Sequence, residues 1–421
     1  MSRSKSPLVI IFFTVFIYLV GFGVIIPMLP LLARDFGATS FQVGLLLSVY
    51  SLMQFLFSPF WGKISDKLGR RPVILGCLIG ESFSYLVFAW ARQLEWLFVA
   101  RIMAGFFGAS ISTASAYISD VTPAKERSKG MALIGAAFGL GFLVGPALGG
   151  GMAILGGHIS AAPHFNTSFS ALFVALLCLA NAAFGFKYLK ESLQLKKSDS
   201  VTDAVALASG KKGRFEQLFG YLHRPLIGPL MTVFFLSSLA MSTMEATLVL
   251  LAGDRFHWGL REVSFGFAFI GLIIVLAQGF LVRRLLPIVG ERKMLVSGLL
   301  MLGIGIASIA FSFHIWALAI AMVILALGNS FTNPSTMGSI SLLSNASEQG
   351  AVLGTTQGTA SLGRILGPAI GGLIYEKISW GSPFLSGGVM AFIGLAIVIS
   401  LFRLLPESAK HSAEPIAEGS V

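Results

Sequence analysis

The sequence predicts an all-α integral membrane protein: twelve transmembrane helices in two pseudo-symmetric six-helix bundles. Three observations carry that expectation. The 421 residues are 55% hydrophobic and only 12% charged, with a mean hydropathy of +0.83, whereas soluble domains carry about 25% charged residues. The apolar residues fall in runs of about 18–25, long enough to cross the hydrocarbon core as helices, and such runs must satisfy their backbone polar groups internally. Finally, one pattern occurs twice: Gly141-Phe-Leu-Val-Gly145-Pro146-Ala-Leu-Gly149-Gly150 and Gly363-Arg-Ile-Leu-Gly367-Pro368-Ala-Ile-Gly371-Gly372. A duplicated membrane helix implies duplicated halves.

The spans read, in order, 8–32, 41–61, 73–91, 96–118, 130–155, 168–187, 226–251, 263–282, 294–312, 315–338, 351–374 and 384–404. The first follows Arg3 and Lys5, but its apolar run is too long for a cleavable signal and lacks a small-residue cleavage site. Residues 1–190 form the first bundle and 225–408 the second. Residues 191–224 are a polar, basic linker with a short helix expected at Ala204–Ala208, and 409–421 are a polar tail.

The net charge of +11 does not indicate a nucleic-acid partner. Lys63, Lys67, Arg70, Arg71, Lys125, Arg127, Lys129, Arg283, Arg284, Arg292 and Lys293 all fall in loops on one side of the predicted bundle. By the positive-inside rule that side, with both termini, is cytoplasmic. Cys77 and Cys178 lie inside spans and read as small buried hydrophobes. No Walker loop, zinc-protease or nucleophile-elbow motif occurs, so the sequence indicates no enzyme, cofactor or metal site.

Glycines 141, 145 and 149, and 363, 367 and 371, recur every four residues and so share a helical face that admits close backbone approach. Pro146 and Pro368 each delete one helical hydrogen bond. Two aligned Gly-Pro bends predict a working interface between the halves. After span 2 comes Gly62-Lys-Ile-Ser-Asp66-Lys-Leu-Gly69-Arg70-Arg71-Pro72. Asp66 and Arg70 are four apart and would pair if the helix continued, and Gly69 permits a tight turn.

That loop spacing, with twelve spans and repeated halves, resembles the major facilitator superfamily over nearly the whole chain. Further strings agree. Gly21-Phe-Gly-Val-Ile-Ile-Pro27-Met-Leu-Pro30 resembles the drug/proton antiporter signature of span 1. Arg101-Ile-Met-Ala-Gly105-Phe-Phe-Gly108 resembles the membrane-arginine motif, Gly141–Gly150 the antiporter motif, and Asp120 followed by Arg127 the loop after span 4. The second half echoes the first loop weakly, through Gly279, Arg283 and Gly290-Glu-Arg292-Lys293. The resemblance implies a cytoplasmic charge latch of Asp66, Arg70 and Asp120, with Asp66 also facing the start of span 11. Among branches the chain is most similar to bacterial tetracycline/proton antiporters, which implies a bacterial inner-membrane location. Positions that are polar in spans 1, 8 and 9 of those exporters are Tyr18, Ile274 and Leu302 here, and their acidic residue in span 3 falls at Ser84. A metal–tetracycline chelate is therefore not the expected cargo.

Four ionisable residues fall within spans: Glu81, Arg101, Glu245 and Arg364. Each costs about 2.5–3.5 kcal/mol at mid-bilayer on insertion scales, so each is a functional candidate. Arg364 either attracts an anionic group or is neutralised by a neighbouring helix. Glu245 either carries a proton after desolvation or is fixed in an ion pair. Arg101 is tied to proton coupling by the resemblance alone; the bland alternative is a snorkelling side chain. Glu81, on a span that is peripheral in the family, faces a neighbouring helix or headgroups. Phe22 and Phe138 are candidates to line an apolar cavity, though phenylalanine at helical spacing is more often core.

The expected function is a monomeric, proton-coupled antiporter exporting small organic or amphipathic molecules, with the lipid bilayer, protons and a small-molecule substrate as partners. An importer of an organic anion, siderophore or metabolite on the same fold is the alternative. A non-transporting receptor or scaffold is the alternative of another class.

Overall fold

The computed structural model describes residues 7–122, 127–162, 164–193, 220–345 and 348–405, without the side chains of 127–132. Most of the 191–224 linker, with the expected Ala204–Ala208 helix, and the 409–421 tail lie outside the described residues.

The described chain is almost wholly helical. α1 is Pro7–Asp35, α2 Ser40–Leu68, α3 Arg70–Ala89, α4 Leu94–Gly108, α5 Ile111–Val121, α6 Arg127–Ile159 and α7 Phe165–Tyr188. Then follow α8 Ile227–Phe256, α9 Leu260–Leu276, a π-helical turn Ala277–Val282 and α10 Arg283–Val289. α11 Glu291–Ala310, α12 Ile315–Leu342, α13 Gln349–Lys377 and α14 Ser382–Ser400 complete the order. Eleven helical segments among the described residues are long and apolar enough to span a membrane, α4–α5 and α9–α10 each counting once. The twelfth span of the fold is α13, whose 29 residues are diluted by glycine, threonine, Gln349, Gln357 and Arg364.

Two spans depart from the uniform helices expected. The fourth is interrupted at Ala109 and Ser110, and the eighth carries the π-turn. The prolines sit inside their helices without ending them: Pro27 and Pro30 in α1, Pro146 in α6 and Pro368 in α13.

By contact the chain falls into two compact units. The first is Met1–Asp199 with Glu245–Leu272 and Pro368–Lys377; the second is Ser200–Met244, Ile273–Gly367 and Ile378–Val421. The C-terminal parts of α8 and α13 thus group with the first unit, a division the sequence repeat does not suggest.

In the first unit, α1 packs on α6 and α7, α3 on α7, and α4 on α2 and α3. The core at one end joins Ile11, Val15 and Leu19 of α1 to Leu78, Tyr117 and Ile118. The four-residue glycine face of α6 seats on α1. A Cβ on Gly141 would strike Leu19, one on Gly145 would strike Val20 and Gly23, and one on Gly149 would meet Val24. The four-residue face itself is thus turned to α1 of the same repeat. In the second unit Gly363 and Gly367 make the matching contact on α8, against Ser238, Leu239 and Ser242. The glycines just past each face turn elsewhere: Gly150 meets Ser264 of α9, and Gly372 meets the backbone of Ser40 on α2.

The loop before α11 repeats the loop before α3. Gly69 (φ 105°) and Gly290 (φ 82°) start these helices with the same backbone geometry. Arg71 donates to the Phe186 carbonyl at 2.6 Å with its guanidinium 5.2 Å from that ring. Arg292 donates to the Phe402 carbonyl at 3.1 Å and lies 4.2 Å from that ring. The second unit's core runs through Leu230, Met231, Leu295, Leu299, Val398 and Leu405.

Candidate functional site

The span-4 motif builds a buried polar site in the first unit, each of its small residues making room for a neighbour. A Cβ on Gly105 would collide with the Tyr50 backbone of α2, so glycine lets α2 and α4 approach. A Cβ on Gly108 would press on the hydroxyls of Tyr18 and Tyr50. Just beyond, the helix breaks. Ser112 donates to the Ala109 carbonyl rather than to Gly108, so the Gly108 carbonyl is released from the ladder. Tyr18 Oη donates to it at 3.3 Å and Gln54 Nε2 at 3.1 Å. The Tyr18 and Tyr50 hydroxyls are 2.8 Å apart. A freed carbonyl inside a membrane protein must find such donors.

Arg101 lies in this site and is 3% exposed. Its guanidinium stands 4.3 Å from the Tyr50 ring centroid, and Nε donates to the Leu46 carbonyl at 3.5 Å. It is not a snorkelling side chain. Glu81 of α3 is 1% exposed, and its Oε1 has no hydrogen-bond partner among the described residues. Glu81 interacts electrostatically with Arg101, and Tyr18, Tyr85, Cys77 and Cys178 lie within its field. The structure therefore unites two candidates that the sequence had treated separately. Burying an ionised carboxylate is expensive unless it is paired. Arg101 supplies a counter-charge here without a hydrogen bond to Glu81 among the described residues.

Glu245 lies half-buried on α8 and Arg364 exposed on α13, with Arg364 Nη2 donating to Ser361 Oγ at 3.0 Å. Neither is without a partner. Phe22 stacks on Tyr50 with centroids 5.1 Å apart, and Phe138 is exposed.

At the opposite end of α3 sits the loop cluster. The helix does not continue from Asp66 to Arg70 as their spacing had required, because α2 ends at Leu68 and Gly69 makes the turn. The pair forms across that turn, at 2.6 Å. Arg70 also reaches Asp120 at 3.1 Å and Ser65 Oγ at 2.6 Å. Gly62 has open space where a Cβ would stand, so sterics do not explain that glycine. Arg127 opens α6, but its side chain lies outside the described residues.

Glu191 is the member that sequence reasoning missed. Its carboxylate accepts from the N–H groups of Arg70 (2.8 Å) and Arg71 (3.1 Å), two of the donors left over at the start of α3. Ser192 Oγ donates to Asp120 at 3.1 Å. Burial opposes ionisation of Glu191, but backbone donors from Leu193, Arg70, Arg71 and Ser192 outweigh it and hold its carboxyl below the usual range. The only available signal was a Lys-Glu-Ser string immediately after span 6. A second missed group joins Arg34, Asp254 and Tyr375. Arg34 grips Asp254 at 2.6 and 3.1 Å, and Tyr375 Oη donates to Asp254 Oδ2 at 2.6 Å.

The Major Facilitator Superfamily profile matches residues 11–289 and 275–420. The class C tetracycline resistance protein of Escherichia coli is 32% identical over 376 residues, covering 89% of this chain and 90% of that protein. Multidrug resistance protein 2 of Bacillus subtilis is 26% identical over 403 residues, covering 94% and 96%. The crystal structure of the human organic anion transporter MFSD10 (TETRAN) superposes with a TM-score of 0.68 at 25% identity, covering 94% of this chain and 100% of that one. With the profile spanning both halves, the chain is a multi-pass membrane transporter and belongs to the major facilitator superfamily.

Proposed function

We propose that the protein is a proton-coupled antiporter that exports small organic or amphipathic molecules from a bacterial cell by alternating access, with Glu81 as proton carrier and Arg101 as its counter-charge. One observation carries the reading: a carboxylate 1% exposed, one oxygen unpartnered, inside the field of a buried arginine. Intramembrane ionisable groups of this kind mark proton relays. Relatives named for tetracycline and multidrug resistance support export. One proton moving down 100 mV releases about 2.3 kcal/mol, enough to sustain a solute gradient of roughly 40-fold.

Glu245 and Arg364 are assigned here to substrate contact rather than to the proton. The exposed Arg364 guanidinium and the similarity to an organic anion transporter favour an anionic cargo. Tyr18 spends its hydroxyl on Tyr50 and Gly108, Ser84 donates to the Gly80 carbonyl at 2.9 Å, and Leu302 is fully buried. Those positions offer little to a metal chelate.

The test is transport in proteoliposomes with a lumenal pH dye, using carboxyfluorescein as anion and ethidium as cation. Wild type accumulates probe against its gradient under an imposed pH difference. Glu81→Gln retains downhill exchange but loses pH-driven accumulation at least about tenfold. Accumulation at the wild-type level in that variant removes Glu81 from the coupling step.

A further inference from the structure

Arg101 is a buried charge whose close contacts are with neutral groups. Both lie on one turn of α2: the Leu46 carbonyl, which Nε reaches at 3.5 Å, and the Tyr50 ring, whose centroid is 4.3 Å from the guanidinium. The first is at the long limit of a hydrogen bond and contributes little. The second places a cation over an aromatic face, an attraction that strengthens where water is excluded. Tyr50 is 4% exposed. The ring is therefore the main seat of the charge.

The ring is itself held from several sides. Its hydroxyl lies 2.8 Å from that of Tyr18 on α1. Phe22, one turn further along α1, stacks on it with planes 29° apart. Gly105, one turn beyond Arg101, brings α4 against the Tyr50 backbone. Glu81 enters the same site from α3. The groups that act on it electrostatically come from four helices: Tyr18 of α1, Cys77 and Tyr85 of α3, Arg101 of α4 and Cys178 of α7. Among these Arg101 carries the positive charge. A guanidinium and a carboxylate left unrestrained in such a site join in a bidentate pair, and a carboxylate so joined holds its charge rather than a proton. Here the guanidinium is occupied elsewhere.

We propose that Tyr50 is the positioning residue of this site: its ring holds the Arg101 guanidinium on α2, near enough to offset a charge on Glu81 but restrained from closing on it, so that Glu81 can both take up and release a proton. The role belongs to the π face of Tyr50 and not to its hydroxyl. The inference rests on the reading of Glu81 as proton carrier.

The test grades the ring while keeping its shape. Tyr50→Phe removes the hydroxyl. Fluorinated phenylalanines incorporated at position 50 then withdraw electron density from the ring face in steps, which weakens its hold on a cation. The readout is the infrared carbonyl band of the protonated Glu81 side chain in the reconstituted full-length protein, identified by subtracting the spectrum of Glu81→Gln. It is read at the pH where the native band stands at half its full height. Tyr50→Phe is expected to keep that height. The trifluorinated ring is expected to free the guanidinium to pair with Glu81, which shifts the protonation equilibrium about tenfold and leaves about a fifth of the native band; the difluorinated ring falls between. A band of native height through the whole fluorine series overturns the proposal, as does a band that grows. So does a Tyr50→Phe band already as low as that of the trifluorinated ring, which would make the hydroxyl the working group. A native protein with no Glu81-dependent band at any pH overturns the proton-carrier reading, and the inference with it. The existence of the band thus tests Glu81, and its response to fluorine tests Tyr50.

Discussion

Gly69 shows how much one position can carry. Its φ of 105° suits glycine, and the space a Cβ would fill is occupied by the Glu191 carboxylate. The glycine therefore both makes the turn and admits the cap of the following helix. Glu191→Gln keeps the size but loses the charge at a helix N-terminus, and is expected to cost about 1 kcal/mol or less of local stability, since the group is exposed. Amide exchange at the first turn of α3 measures it. The pH dependence follows from the depressed carboxyl. The contribution is complete above the ordinary unfolded value of about 4.3 and is lost as pH falls through the lower folded value. The protection of the α3 amides, taken against their intrinsic exchange rates, should accordingly fall on acidification in the native protein and show no such step in Glu191→Gln. The sequence made Asp66 and Arg70 legible because a rigid spacing carries them, and Asp120 only through the family resemblance of its loop. Glu191 was not legible, because a cap reached from 120 residues away has no local periodicity.

At the scale of an element, α6 separates glycines that pack from glycines that do not. Gly145 faces the backbone of Val20 and Gly23, whereas Gly151 on the same helix has nothing within 4 Å of a Cβ position. Gly145→Ala is expected to destabilise by about 1–3 kcal/mol through overpacking. Gly151→Ala is expected to be neutral or to stabilise by up to about 1 kcal/mol through helix propensity. Thermal melts of the two variants in detergent check the contrast. The four-residue spacing predicted a packed face correctly, but it could not say which helix lies opposite, and the partner is α1. The interruption between α4 and α5 was likewise hidden. Ala109-Ser110 is no helix breaker by composition; its effect depends on Tyr18 and Gln54 being at hand to receive the Gly108 carbonyl.

At the scale of the whole molecule, the twelve spans were legible because hydrocarbon thickness and backbone satisfaction admit few other solutions. The charges that the sequence singled out are mainly those the lipid makes rare. The nearness of Glu81 to Arg101, and the ion pair of Arg34 with Asp254, depend on the fold and could not be read from spacing. The repeated seats of Arg71 on Phe186 and Arg292 on Phe402 show the duplication reaching the end of each half. They also put a practical boundary on the chain. Phe402 and the buried Leu405 lie beyond the last helical residue, Ser400, yet both serve the second unit's core or its loop. A fluorescent protein joined after Leu405 leaves both in place. One joined at Ser400 deletes them and should cost about 2 kcal/mol or more, visible as a lower yield of monodisperse fluorescent material on size-exclusion chromatography. The shortest purification handle that respects this molecule therefore begins only after the hydrophobic thread has finished its last stitch.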